Sequence, residues 1–249
     1  MVNGIIILDK PAGITSFEAC DKVRKKLGAE KAGHAGTLDP DVTGVFIIAL
    51  GNSVKAMPIL FHLDKIYEGK AHLHKNIEKQ ELEKAMKKFV GKITQLPPRR
   101  SRVKRQERQR EIYEFRLLEK KEKDFTFRVH CEAGTYIRKL IHDLGLELGG
   151  AHMTSLRRIK QGPFTEEYAI PIEKISQKDI IPLEQVIKKL KVPTIEIDER
   201  REKSFKQGRY IKILDKKIPG TIVVFSQGRV IALAVLEDNL LKPKRIIDT

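Results

Sequence analysis

The chain has 249 residues and 41% hydrophobic composition, which is enough for one substantial domain with a real core and a small second one. Its 49 Lys and Arg exceed its 33 Asp and Glu, so the formal charge is +16 and a polyanion such as nucleic acid is the favoured partner. A membrane partner is disfavoured, since no apolar run approaches the roughly 20 residues needed to span a bilayer. The two cysteines, Cys20 and Cys131, fall on apolar faces and suggest reduced core thiols in a cytoplasmic protein.

The N-terminal segment predicts a strand followed by a helix. Residues 1–10 have no basic leader and carry an acid right after a short apolar run, which is typical of a first strand and not of a signal peptide. Lys10 begins a turn, where it would be solvated or would contact phosphate. Ser16 is the expected N-cap of an amphipathic helix with Phe17 on its apolar face, and Gly28 is expected to end it.

A loop at residues 33–44, Gly-His-Ala-Gly-Thr-Leu-Asp-Pro-Asp-Val-Thr-Gly, precedes an apolar run at 45–50 that predicts a buried strand. A loop anchored to such a strand can hold a side chain in a fixed pose. Asp39 is therefore the candidate reacting carboxylate. The alternative is that Asp39 only starts an Asp-Pro turn.

Residues 65–74 alternate as a strand does and contain three residues of interest. Tyr67 is either a strand-forming residue or a platform on which a base stacks. His72 and His74 would share one face, as two ligands of a metal site do. Because no third His or Cys lies near them in sequence, we predict structural histidines and no metal.

The most charged segment follows a helix that we expect Asn76 to cap. Residues 99–110 hold seven basic residues and one acid: Arg99, Arg100, Arg102, Lys104, Arg105, Arg108 and Arg110 against Glu107. Charge at this density repels itself unless it is neutralised, so a loop that grips RNA phosphates is favoured over a solvated face.

The second half of the chain continues with strands at 112–119 and 124–132 and a helix from Ile137 to Gly149. Arg138, off the apolar side of that helix, is either an exposed cation or the partner of a buried carboxylate. A boundary at Val192-Pro193 precedes several short strands and a hairpin signal at 226–229. We expect an α+β fold: a mixed, mainly antiparallel sheet in a catalytic domain at 1–190, and a small β-barrel-like domain at 191–249.

Three motifs in order resemble the TruB-type pseudouridine synthases: Leu-Asp-Lys-Pro-Ala-Gly-Ile-Thr-Ser at 8–16, Gly-His-Ala-Gly-Thr-Leu-Asp-Pro at 33–40 and Gly-Thr-Tyr-Ile-Arg at 134–138. The segments at 71–74, 95–98 and 131–134 are most similar to the dyskerin branch, the catalytic subunit of archaeal and eukaryotic H/ACA ribonucleoproteins. The C-terminal strands are similar to a PUA domain, an RNA-anchoring module.

The resemblance implies an enzyme that isomerises uridine in rRNA or tRNA without a cofactor. Asp39 is then the catalytic carboxylate, as nucleophile or base, and Arg138 its partner. Tyr67 stacks on the flipped base, Tyr136 and Leu156 line the pocket, His34 lies near the displaced nucleotide, and Lys10 and the basic run bind RNA. Implied partners are the RNA substrate, an H/ACA guide RNA and small accessory proteins. A stand-alone tRNA enzyme and a non-catalytic RNA-binding scaffold remain alternatives.

Overall fold

A computed structural model describes residues 1–96, 106–214 and 217–247. The strands within these residues are β1 Gly4–Lys10, β2 Ala32–His34, β3 Thr43–Leu50, β4 Lys65–Leu73, β5 Gly91–Gln95, β6 Arg108–Lys121, β7 Asp124–Cys131, β8 Ala151–Gln161, β9 Phe164–Thr165, β10 Ile170–Pro171, β11 Thr194–Glu196, β12 Ile211–Lys212, β13 Ile222–Ser226, β14 Arg229–Glu237 and β15 Leu240–Ile246. The α-helices are α1 Ser16–Leu27, α2 Met57–Phe61, α3 Lys79–Lys87, α4 Ile137–Leu148, α5 Leu183–Leu190 and α6 Glu199–Lys206.

The larger sheet runs in the order β10-β1-β3-β8-β4-β7-β6-β5, with β2 on β3 and β9 on β8. Among the described pairs, β1 with β10 and β3 with β8 are parallel, and the rest are antiparallel. The predicted α+β class with a mixed, mainly antiparallel sheet is thus confirmed.

Apolar side chains cover both faces of the central strands, which explains their nearly continuous hydrophobic sequences. Ile6, Leu8, Phe46 and Ile48 pack with α1, α3 and α4 on one face. The alternate residues of β1 and β3 pack with α2 and α5 on the other face, where they also meet residues of β13 and β14. The 33–44 loop therefore leads into a strand that is fixed on both sides.

The smaller sheet has the order β11-β13-β14-β15-β12. The expected hairpin at 226–229 is present, with Ser226 opposite Arg229. Helix α6 lies in this region, and its Phe205 is fully buried among the strands. We did not predict α6, because Phe205 is the single large apolar residue in its eight-residue sequence.

Three expectations about the first residues of helices α1 and α3 are wrong. Thr15, not Ser16, is the N-cap of α1, in a capping box with Glu18. The Ser16 hydroxyl instead bonds both the N–H and the C=O of Leu38, which turns Ser16 inward and leaves Phe17 75% exposed. The N-cap of α3 is Glu78 and not Asn76.

No helix in the described part of the chain is long and apolar enough to cross a membrane.

Candidate active site

The 33–44 loop is held by hydrogen bonds on both sides of Asp39. The Ser16 hydroxyl accepts from the Leu38 N–H and donates to its carbonyl, at 2.9 and 2.8 Å. After the acid, the Pro40 carbonyl accepts from the Lys10 ammonium at 2.9 Å and from the Gly13 N–H at 3.1 Å. A side chain on a backbone held at both neighbours has little freedom to move away.

Lys10 supports this loop from inside the protein. Its side chain is buried, and its ammonium donates to the carbonyls of Pro11, Pro40 and Val42 at 2.9 to 3.0 Å. A buried ammonium with three carbonyl acceptors has no donor left for a phosphate. We therefore remove Lys10 from the set of residues expected to bind RNA.

Asp39 and Arg138 form an ion pair between the loop and the start of α4. Both side chains are about half exposed, at 51% and 59%, so the carboxylate faces solvent and is not buried as expected for an Arg138 partner. Arg138 holds one carboxylate oxygen while the group stays open to an incoming molecule.

Tyr67 lies in β4 with 7% of its surface exposed, opposite Arg158 of β8. Burial raises the pKa of the Tyr67 phenol, and the charge of Arg158 partly offsets that rise. Arg158 also donates to the carbonyls of Val45 at 2.6 Å and Gly36 at 3.3 Å. Arg158, to which our sequence analysis assigned no role, thus connects the strand beside Tyr67 to the loop that carries Asp39.

Gln95, which our sequence analysis did not single out, holds the backbone of Tyr136 at the start of the helix that carries Arg138. Its buried amide donates to the Tyr136 carbonyl at 3.2 Å and accepts from the Tyr136 N–H at 2.9 Å. This pair orients Tyr136, the N-cap residue of α4. A glutamine that pairs with a backbone amide has no sequence signature, so only the structure finds it.

Leu156 and His34 take two different positions around these residues. Leu156 is 8% exposed and lies two residues before Arg158 in β8, opposite Gly69 of β4. The half-buried His34 ring lies 5.2 Å from the Phe46 ring. Burial and the Arg158 charge lower the pKa of His34, which favours the neutral imidazole.

The structure describes only part of the basic run at residues 99–110. Arg99, Arg100, Arg102, Lys104 and Arg105 lie outside the described residues. Arg108 and Arg110 belong to β6 and not to a loop, and Arg110 lies 3.8 Å from Glu132.

His72 and His74 meet a third histidine that the sequence separates from them. His74 Nε2 lies 3.0 Å from His152 Nδ1, and His72 Nδ1 lies 2.7 Å from Asp124. Across the described ranges, no group of three or more His, Cys, Asp or Glu is arranged to hold a metal ion. The described chemistry around Asp39 is that of a carboxylate, a cation and a phenol.

The sequence matches known families over most of this region. Residues 24–83 and 71–137 match the TruB family pseudouridylate synthase (N terminal domain), and residues 138–191 match the tRNA pseudouridylate synthase B C-terminal domain. A protein of Pyrococcus furiosus named "Probable tRNA pseudouridine synthase B" is 38% identical over 258 residues, covering 96% of this chain and 74% of that protein. A Methanopyrus kandleri protein with the same name is 49% identical over 176 residues, covering 70% of this chain and 52% of that protein.

Solved structures agree with these matches. The chain is similar to one in the crystal structure of a Cbf5-Nop10-Gar1 complex, with a TM-score of 0.83, 34% identity and coverage of 98% of this chain and 85% of the other. It is equally similar to one in an H/ACA RNP bound to a substrate RNA containing 2'-deoxyuridine, with a TM-score of 0.83, 32% identity and coverage of 99% and 85%.

These matches define the class: the chain belongs to the TruB family of pseudouridylate synthases. It spans about half the length of several of its curated relatives. Within the family, its structural neighbours are Cbf5 chains of H/ACA complexes.

Proposed function

We propose that the chain isomerises uridine to pseudouridine in RNA, with Asp39 as the catalytic carboxylate. The observation that carries the proposal is the Asp39–Arg138 ion pair on a loop fixed at Leu38 and Pro40. A solvent-facing carboxylate in a fixed pose is suited to a nucleotide that arrives from outside by flipping out of its stack.

The reaction breaks the bond from ribose C1′ to N1 of uracil and joins C1′ to C5 of the same ring. No electrons are gained or lost, so the residues of the chain suffice without a cofactor. Asp39 acts on the ribose or the base as nucleophile or general base. Tyr67 stacks on the flipped base, and Tyr136, Leu156 and His34 complete the pocket.

The proposed setting is an H/ACA ribonucleoprotein with a guide RNA and small accessory proteins. The described structural neighbours support it, because they include complexes with Nop10, Gar1 and a substrate RNA. We assign residues 1–190 to the catalytic domain and 191–249 to a small PUA-like domain that anchors RNA. Two buried free thiols, Cys20 and Cys131, support a reducing, cytoplasmic location.

A stand-alone tRNA enzyme is the second candidate, and the name shared by the archaeal relatives favours it. One assay separates the two: pseudouridine formation by the full chain on tRNA transcripts and on rRNA fragments, each with and without guide RNA and accessory proteins. Product on rRNA only with the guide supports the first proposal, and product on bare tRNA supports the second. No product on any RNA overturns both and favours a non-catalytic scaffold.

A further inference from the structure

Buried cations are concentrated beneath the 33–44 loop. Four charged residues are buried in the described part of the chain: Lys10 at 0%, Arg158 at 1%, Lys65 at 4% and Glu202 at 8% exposure. Lys10 and Arg158 donate to carbonyls of the loop. Lys65 Cε lies 3.6 Å from the position a Cβ would take on Gly36 of the same loop.

Neither Arg158 nor the two lysines takes part in an ion pair among the described residues. Lys10 and Lys65 donate to backbone carbonyls. Arg158 donates to two carbonyls, and its guanidinium lies 5.9 Å from the Phe46 ring centre. Burying a cation without a counter-charge lowers the stability of the fold. Such a cation is therefore a candidate for a functional role of its charge.

The Arg158 charge acts on the residues around it. Arg158 is the partner of Tyr67 in the register of β8 and β4, and its charge opposes the rise that burial causes in the pKa of the Tyr67 phenol. The charge of Arg158 also helps to lower the pKa values of His34 and Lys65.

We propose that Arg158 is a positioning residue that fixes the 33–44 loop and, through its uncompensated positive charge beside the Tyr67 phenol, favours the uracil anion during isomerisation. This inference rests on the proposed function. When the C1′–N1 bond breaks, its electron pair stays on N1 and spreads to the uracil O2 and O4. Formation of the C1′–C5 bond, loss of the C5 proton and protonation of N1 complete a balanced isomerisation.

The test compares Arg158→Met, which removes the charge, with Arg158→Lys, which keeps a cation. We expect Arg158→Met to lower the melting temperature, since the carbonyls of Val45 and Gly36 lose their donor, so the rates are compared below the melting temperature of each variant. Its affinity for RNA should stay within about twofold, because a buried side chain does not contact phosphate. Its single-turnover rate should fall about 100-fold, and Arg158→Lys should recover part of that loss.

Arg157→Met is the matched control. Arg157, the next residue in β8, is bidentate to Asp9 at 3.0 and 3.1 Å and also pairs with Glu166. Its replacement should also lower the melting temperature, but it should leave a near wild-type rate below that temperature.

A double-mutant cycle with Tyr67→Phe tests whether Arg158 acts through the phenol. We expect either Arg158 variant to lose much less rate in the Tyr67→Phe background than in the wild type. An equal loss in both backgrounds, or a wild-type rate for Arg158→Met, overturns the proposal. If Arg158→Met does not fold, the Arg158→Lys cycle decides alone by the same comparison.

Asp39→Asn, measured in parallel, separates the two claims. Loss of product in Asp39→Asn with a normal rate in Arg158→Met leaves the proposed function standing and removes the role of Arg158. A normal rate in Asp39→Asn removes the proposed function and this inference with it.

Discussion

Several buried side chains beneath the 33–44 loop are charged, although a protein interior is normally apolar. For Lys65, this burial predicts a measurable pH dependence of the free energy of unfolding. Its side chain is 4% exposed, and its ammonium donates to the carbonyls of Phe61 and Leu63. Burial, with a smaller contribution from Arg158, lowers the pKa of Lys65 from 10.5 to about 8. The folded protein therefore releases this proton at a lower pH than the unfolded chain.

The sign of the resulting pH dependence is fixed by linkage. Between pH 8 and 10.5 the unfolded chain keeps the Lys65 proton that the folded protein has lost, so stability rises with pH in this window. We predict that the free energy of unfolding of the wild type, relative to Lys65→Met, increases by about 3 kcal/mol across it. Urea denaturation of both proteins at several pH values measures this difference. A difference that stays constant or falls contradicts the lowered pKa.

At the scale of elements, the parallel contact between β3 and β8 positions the loop and depends on one glycine. Gly44 has φ of +102° and lies opposite Arg158 in the register. A Cβ on Gly44 would lie 2.2 Å from the Arg158 carbonyl oxygen, which is backbone and cannot turn aside.

We predict that Gly44→Ala lowers the free energy of unfolding by about 3 kcal/mol or more, because strain and a backbone clash combine. Gly28→Ala is the control: this C-cap glycine also has positive φ, +67°, but no atom lies within 4 Å of its Cβ position. Gly28→Ala should lower the free energy of unfolding by about 1 to 2 kcal/mol. Equal losses in the two variants, measured by denaturant unfolding, would show that the close approach to β8 is unimportant.

Elements with a clear hydrophobic period were predictable, and those without one were not. The buried strands β1 and β3 and helix α4 appeared where apolar spacing placed them. Helix α6 was missed although Asp198 is a proper N-cap, which bonds the Arg201 N–H. Strand β5, with the sequence Gly-Lys-Ile-Thr-Gln, offered too little alternation to be recognised.

The residues of the candidate site were likewise only partly predictable from the sequence. The sequence motifs singled out Asp39, and the Asp39–Arg138 contact itself appears in the structure. The supporting residues Arg158 and Gln95 were not assigned a role, and Lys10 was assigned the wrong one. Charged and polar side chains usually indicate a solvated surface, so a sequence pattern cannot show that these are buried against backbone carbonyls.

At the scale of the whole molecule, the formal charge of +16 predicts RNA binding that weakens with salt. We predict that replacing Arg102, Lys104 and Arg105 together by Ala lowers the slope of log Kd against log salt by about 2 to 3. The control replaces Lys79, Lys84 and Lys87, three exposed lysines of α3, and removes the same charge. Equal changes in both triple variants would attribute binding to net charge and not to the basic run.

The central claim, that Asp39 performs the isomerisation, is tested most directly by the single-turnover rate of Asp39→Asn against that of Asp41→Asn. The two acids are neighbours in one exposed loop, so each change removes the same charge from almost the same place. We predict no detectable pseudouridine with Asp39→Asn, a near wild-type rate with Asp41→Asn, and RNA affinity within about twofold for both. Comparable rates for Asp39→Asn and the wild type would contradict the account.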